Sequence, residues 1–278
     1  MLVLIAGDPV HVEYAQHPSP VHSADRIFVT GNAVIVLDGA TAFVPVSVDA
    51  QAYADRLGRR IAELLTAVPE ADLRGTLAAA IRDTAALLGL RSGESPSSTV
   101  AIMRERQKAL DVLVLGDSTV RWGSHSGNGL GWLADHRLAK LPVPQRERYR
   151  ARLRAGTGYD AKHRQLLREL QTAQRRYHNT AHGYWIAETD PNAAYRAMVT
   201  AVPRTHARWA VLATDGAFGP LTHLGGRSWS DIAALDADGL RRLLDRCHAW
   251  ERDKDPDGRL LPRAKQHDDK TLAAVSFR

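Results

Sequence analysis

Four aspartates stand where apolar runs of the chain begin or end. Val34 to Leu37 leads straight into Asp38 and Gly39, and Val112 to Leu115 into Gly116, Asp117 and Ser118. Trp209 to Ala213 leads into Thr214, Asp215 and Gly216, while Asp268 and Asp269 immediately precede the run Thr271 to Phe277. A carboxylate at a strand end is held by a rigid buried element while its head faces solvent. Several converging at one sheet edge repel one another strongly unless cations lie between them. An oxygen-only donor set selects hard Mg²⁺ or Mn²⁺ over softer metals. Glycine beside Asp38, Asp117 and Asp215 lets the backbone approach an ion or offer it a carbonyl. Any one Asp-Gly pair reads as a turn; four aspartates beside apolar strands read as a metal site.

The elements that would carry these residues are strand-like runs at Ile27–Thr30, Ala33–Leu37, Thr99–Met103, Asp111–Leu115, Trp209–Ala213 and Thr271–Phe277. Met1 to Asp8 reads as a further, first strand. Helical period appears in Tyr53, Leu57, Ile61, Leu64 and Leu65, and again in Leu73, Leu77, Ile81 and Leu88, with Pro69 and Asp72 near the start. A third amphipathic helix spans Asp238 to about Trp250, with Leu240, Leu243, Leu244 and Cys247 inward. Clustered strands around a helical pair predict an α+β fold rather than an alternating parallel sheet. A single domain over 1–278 with an inserted segment at 141–185 is the simplest organisation.

The chain has 278 residues, 44% hydrophobic and 24% charged, which is ordinary for a globular protein. Its single cysteine, Cys247, excludes an internal disulfide framework and reads as a core residue in a reducing, cytoplasmic setting. No stretch approaches a membrane span of about 18 apolar residues. The net charge of +6 is local: residues 137–176 hold twelve Lys or Arg against three acids, or +9, which leaves −3 for the rest. Tyr149 and Tyr159 are its few interleaved aromatics, so recognition of nucleic acid by stacking is disfavoured. Three weaker signals are set aside. Asp253 to Gly258 mimics the opening of a Ca²⁺ loop, but Ala264 stands where a bidentate Glu is required, and it reads as a solvated acidic turn. His178 and His182 have zinc spacing but no acidic base beside them. Gly127 to Gly131 reads as a turn.

The ordered series Ser23-Ala24-Asp25-Arg26, Leu37-Asp38-Gly39, Ser98-Thr99-Val100, Gly116-Asp117-Ser118, Ala134-Asp135-His136, Thr214-Asp215-Gly216 and Asp268-Asp269-Lys270-Thr271 resembles the motif set of the type 2C, or PPM, serine/threonine protein phosphatases. The resemblance covers nearly the whole chain. It implies a four-layer αββα sandwich, two antiparallel sheets flanked by helices, with two Mn²⁺ or Mg²⁺ ions at one end. By position, Asp38 would bridge both ions, Gly39 would offer its carbonyl, and Asp215 and Asp268 would complete the second ion's shell. Asp117 would hold a weaker third ion. Asp25 matches the acid near the N-terminus, and Asp269 stands where Asn is common, to support the ligands rather than bind. The implied activity is hydrolysis of phosphoserine and phosphothreonine in proteins by a metal-activated water, with phosphoproteins and a serine/threonine kinase as partners.

Three departures weaken the match. Ala24 replaces the usual Glu, Ala40 a His able to act as general acid, and Pro20 the arginine that grips phosphate. Arg26 is the candidate to replace that arginine. The same losses define the alternative: a catalytically weakened relative that binds phosphoproteins as a regulator.

Overall fold

The computed structural model describes residues 10–40, 46–124 and 130–277, so the expected strand at Met1–Asp8 and part of the turn at Gly127–Gly131 lie outside the described residues. Period-two alternation in the central strands sets the layering. In β3 (Ala33–Gly39), Ile35 and Leu37 point to one face and Val34 and Val36 to the other. β4 (Ser98–Glu105) and β5 (Ala109–Leu115) repeat the split, with Ile102 and Leu113 on the first face and Met103 and Val112 on the second. Strands buried on both faces must lie inside a sandwich, and they do.

Among the described residues there are two antiparallel sheets of five strands. One has the order β2 (Arg26–Val29), β3, β4, β5, β8 (Met198–Pro203). The other runs β1 (His11–His17), β10 (Lys270–Ser276), β9 (Trp209–Ala213), β6 (Thr119–Gly123), β7 (Gly131–Ala134). Between them lies an apolar layer containing Val34, Val36, Met103, Val114, Leu212 and Val275.

Helices cover the two outer faces. On the first sheet, α1 (Ala50–Ala67) and α2 (Leu73–Leu87) bury Leu57, Ile61, Leu77 and Ile81; each such side chain contributes about 1.5–3 kcal/mol. Asp49 and Asp72 cap these helices by accepting from Ala52 N and Gly75 N. On the second sheet lie α5 (Asp215–Leu224), α6 (Trp229–Ala233) and α7 (Ala237–Asp253), with Leu240, Leu243 and Leu244 against Val211 and Leu272. Cys247 is buried on the same helix. The result is the expected αββα sandwich. Among the described residues no helix is long and apolar enough to cross a membrane.

The basic segment forms two helices, α3 (Pro144–Arg154) and α4 (Ala161–Gln174). They close over a small apolar cluster of their own, in which Leu141, Tyr149, Leu153, Leu166, Leu167 and Leu170 pack together. One turn departs from expectation. Asp255, in the stretch read as a solvated acidic turn, is buried and accepts from Leu260 N, Leu261 N and Arg263. It organises the loop that returns the chain from α7 to β10.

Candidate metal centre

Four segments of the chain meet in one groove. Asp38 is the penultimate residue of β3, held opposite Thr99, and its carbonyl accepts from Ser98 Oγ at 3.0 Å. Asp117 lies in the tight β5–β6 turn, which needs Gly116 at φ +89°, where a side chain would also strike Thr99. Thr99 Oγ1 and Ser118 Oγ, both buried, are 2.8 Å apart and tie this turn to β4. Asp215 does more than end a strand: it opens α5, where an acid is favoured by the helix dipole. Asp268 precedes β10, and it comes this close to α5 because residue 216 is glycine. A Cβ there would lie 2.0 Å from the Asp269 carbonyl oxygen.

Asp25 is fully buried beneath this group. Its Oδ2 accepts from Thr214 Oγ1 at 3.0 Å and Thr271 Oγ1 at 2.8 Å, while Gln16 donates to its carbonyl. The threonines of two sequence motifs are thus the clamps on the acid of a third. Asp269 Oδ2 accepts from Ala24 N at 2.8 Å, which fastens the β10 entrance to the N-terminal loop. Arg26 turns away from the acids: its Nη1 donates to the carbonyls of Ser23 and Asp25, and its Nε lies 3.6 Å from Asp55. Gly39 ends β3, paired with Ser98.

The electrostatics report the crowding. Burial, then the charges of Asp269 and Asp268, push Asp25 up to about 7 against the pull of the two threonines. Burial, followed by Asp25, Asp215 and Asp268, holds Asp38 well above the usual carboxylate range. Asp117 reaches about 7 through burial, Asp215, Asp135 and Asp268. Asp215 is raised by burial and Asp268, although it shares a hydrogen bond with Asp38. Asp215 is exposed, so the neighbouring charge matters more than burial: it lines the same groove as Asp117 and Asp268. Without a counter-ion, the group keeps protons that free carboxylates lose.

Lys265, singled out by no motif, is the cation the acids meet. Its Nζ donates to Asp268 Oδ1 at 2.6 Å, and the charges of Asp268, Asp269 and Asp38 raise its pKa against burial. The basic segment faces the same place. A groove of about 350 Å³ is lined by Asp117, Asp215 and Asp268 on one side and Arg146, Tyr149 and Arg150 on the other. Arg146 is buried and already donates to the carbonyls of Ala139 and Leu141, whereas Arg150 is half-exposed.

No protein-family model and no curated protein sequence matches the chain. Solved structures do. The serine/threonine phosphatase Stp1 from Staphylococcus aureus superposes with a TM-score of 0.57 at 10% identity, covering 98% of this chain and 96% of that one. The fold is that of the PPM serine/threonine phosphatases. The PPM phosphatase MsPP from Mycobacterium smegmatis, solved with cacodylate, gives 0.51 at 15% identity over 97% of this chain and 98% of that one. The catalytic domain of PstP, solved with two manganese ions, also gives 0.51 at 15%, over 96% and 100%.

The donor chemistry fits hard divalent ions in this PPM fold. Asp38, Asp117, Asp215 and Asp268 are oxygen donors gathered at one place, the first three with raised proton affinities, and buried Asp25 Oδ1 accepts no hydrogen bond among the described residues.

Proposed function

We propose that this chain is a protein phosphatase that hydrolyses phosphoserine and phosphothreonine with the help of two Mn²⁺ or Mg²⁺ ions and a weaker third. The gathering of Asp38, Asp215 and Asp268 around buried Asp25, at the end of a PPM-type sandwich, carries this reading. Asp38, the Gly39 carbonyl, Asp215 and Asp268 would hold the two tight ions, and Asp117 the third. When bound, such ions supply a hydroxide at neutral pH and clamp phosphoryl oxygens for direct attack at phosphorus. The chain's own residues do the positioning. Thr214 and Thr271 fix Asp25, and Asp269 fixes the Ala24 backbone. Release of inorganic phosphate from a phosphothreonine peptide, dependent on Mn²⁺, tests the proposal. A folded protein that binds the peptide but releases no phosphate would instead support the regulatory alternative.

Lys265 supports the active reading. The resemblance places Pro20 where an arginine grips phosphate, and Arg26 is engaged with its own loop. Lys265 brings a positive charge to the acids from the other side, beside Asp268. Lys265→Ala is expected to lower kcat/KM for a phosphopeptide by roughly tenfold to a hundredfold, the worth of a charge-assisted hydrogen bond. Lys265→Arg should recover part of it. An unchanged kcat/KM in Lys265→Ala would remove this role.

Asp117 should tune the site rather than create it. Asp117→Ala is expected to reduce turnover while calorimetry still records the two tight ions; loss of all metal binding would contradict that division.

Segment 141–185 acts, in this reading, as a basic flap that attracts acidic phosphoproteins. Arg148 and Arg154 are exposed and Arg150 lines the groove, while Arg152 is paired with Asp160 at 2.7 Å. Replacing Arg148, Arg150 and Arg154 by Gln should cut kcat/KM for an acidic phosphoprotein by about tenfold at low salt. Hydrolysis of p-nitrophenyl phosphate should be spared, and the wild-type advantage should shrink as salt rises. Equal losses on both substrates would leave the flap a structural element only.

A further inference from the structure

Behind the acid cluster, where α7 meets the loop entering β10, lies a second group of metal-binding side chains. His248 and Glu251 are three residues apart on α7 and so share one face of the helix. His267 comes from the loop immediately before Asp268. Each of the three offers a ligand atom, and these atoms all lie within 4.8 Å of one another. The imidazoles of His248 and His267 lie 4.2 Å apart between ring centroids, and His17, at the end of β1, approaches His248 from the other side at 4.5 Å.

The hydrogen bonds hold two of these groups against each other and, among the described residues, leave the third without a partner. A carboxylate only accepts, so without a cation Nδ1 of His267, 3.1 Å from Glu251 Oε2, carries the proton of the neutral ring; a cation held between the two takes that place, and the ring switches to its Nε2–H tautomer. His17 Nδ1, 3.2 Å from Asp245 Oδ1, likewise carries the proton of its neutral ring. His248 Nδ1 is buried with no hydrogen-bond partner among the described residues. Glu251 is buried beside Lys270, whose Nζ lies 2.8 Å from Oε2, so its charge is partly used. A carboxylate presents about four lone-pair sites; Lys270 and His267 take two on Oε2, and the Arg263 guanidinium lies 3.9 Å from Oε1.

We infer a second cation site here, a Zn²⁺-class centre on His248, His267 and Glu251, distinct from the hard-ion site at Asp38, Asp215 and Asp268. Imidazole nitrogen suits Zn²⁺ and its neighbours in the series, not Mg²⁺. A tetrahedral zinc with bonds of about 2.0–2.1 Å places its ligand atoms about 3.3 Å apart. The three side chains therefore close by up to about 1.5 Å on binding, a distance that rotamer adjustment of the two half-buried histidines supplies around buried Glu251. Occupancy would pin α7 to the segment carrying Asp268, one peptide bond from His267.

The test separates the two sites by metal hardness. The full chain is held in excess Mg²⁺ and titrated with Zn²⁺ against a chromophoric chelator, then with Co²⁺ followed by visible absorption. Wild type is expected to take up one equivalent of Zn²⁺ and to give Co²⁺ bands of nitrogen coordination. Removing a supporting residue of a metal site costs 10–100-fold in affinity, so losing a ligand should cost at least about 100-fold in His248→Ala. A second measurement needs no variant: Zn²⁺ should protect His248 and His267 of wild type from diethyl pyrocarbonate, read by mass spectrometry. No Zn²⁺ uptake in excess Mg²⁺, equal affinity in folded His248→Ala, or unprotected histidines would each overturn the site.

Discussion

Replacing Asp38 by Asn is expected to abolish Mn²⁺-dependent hydrolysis of p-nitrophenyl phosphate and, at the same time, to raise the melting temperature of the metal-free protein. The two effects share one cause. Asp38 lies among Asp25, Asp215 and Asp268, whose charges join burial in raising its pKa. An ion neutralises that crowding; Asn cannot recruit one, and losing about 4 kcal/mol of transition-state stabilisation lowers turnover by about 10³-fold. In the absence of metal the same substitution removes one of the mutually repelling acids at nearly constant volume. A gain of about 2 kcal/mol would raise the melting temperature on the order of 5 °C. Asp215→Asn should behave alike, with a smaller gain because Asp215 is exposed. Turnover at the wild-type level in either variant would show that these acids do not hold the catalytic ions.

Much of this arrangement is legible in the sequence because the site sits on the best-patterned elements. The central strands β3, β4, β5, β9 and β10 are runs of Val, Ile, Leu and Ala, so both their existence and the acids at their ends stand out. What escaped is physically different. β1 reads His-Val-Glu-Tyr-Ala-Gln-His, with only Ala15 buried, and β8 exposes four of its six residues. Both are edge strands, where one-sided contact allows polar residues and erases the apolar run. β6 and β7 are short, and Arg121 and Trp132 interrupt their pattern. Lys265 and the histidine group could not be found at all from spacing. Lys265 matters because a loop brings it to Asp268, and His248 meets His267 only after α7 packs beneath β10. Conversely, Arg26 has the right residue type beside the right motif, yet its guanidinium satisfies the carbonyls of its own loop.

The acid cluster also predicts how the metal-free protein responds to pH. Asp25 and Asp117 rise from 3.8 to about 7 in the fold. A carboxyl group that holds its proton more tightly when folded stabilises the fold fully below its unfolded pKa, and that stability is lost as pH rises through the folded value. For buried Asp25 the whole contribution is on the order of 4 kcal/mol. Two histidines oppose this at lower pH. Burial depresses His178 and His248 to about 4, so their contribution is complete above about 6.5 and falls away in acid. The acids therefore act alone above pH 6.5. Between pH 6.5 and 8.5, Asp25 and Asp117 together should lose on the order of 2 kcal/mol, lowering the melting temperature in EDTA by about 5 °C. Saturating Mn²⁺ should reverse the slope, because metal binds the deprotonated acids and its stabilisation grows as they ionise. Asp269→Asn should flatten the slope in EDTA, since the Asp269 carboxylate is, after burial, the largest influence raising Asp25. Scanning calorimetry across this window decides the matter: a melting temperature in EDTA that holds steady or climbs from pH 6.5 to 8.5 would mean that the carboxylates are not crowded as the structure places them.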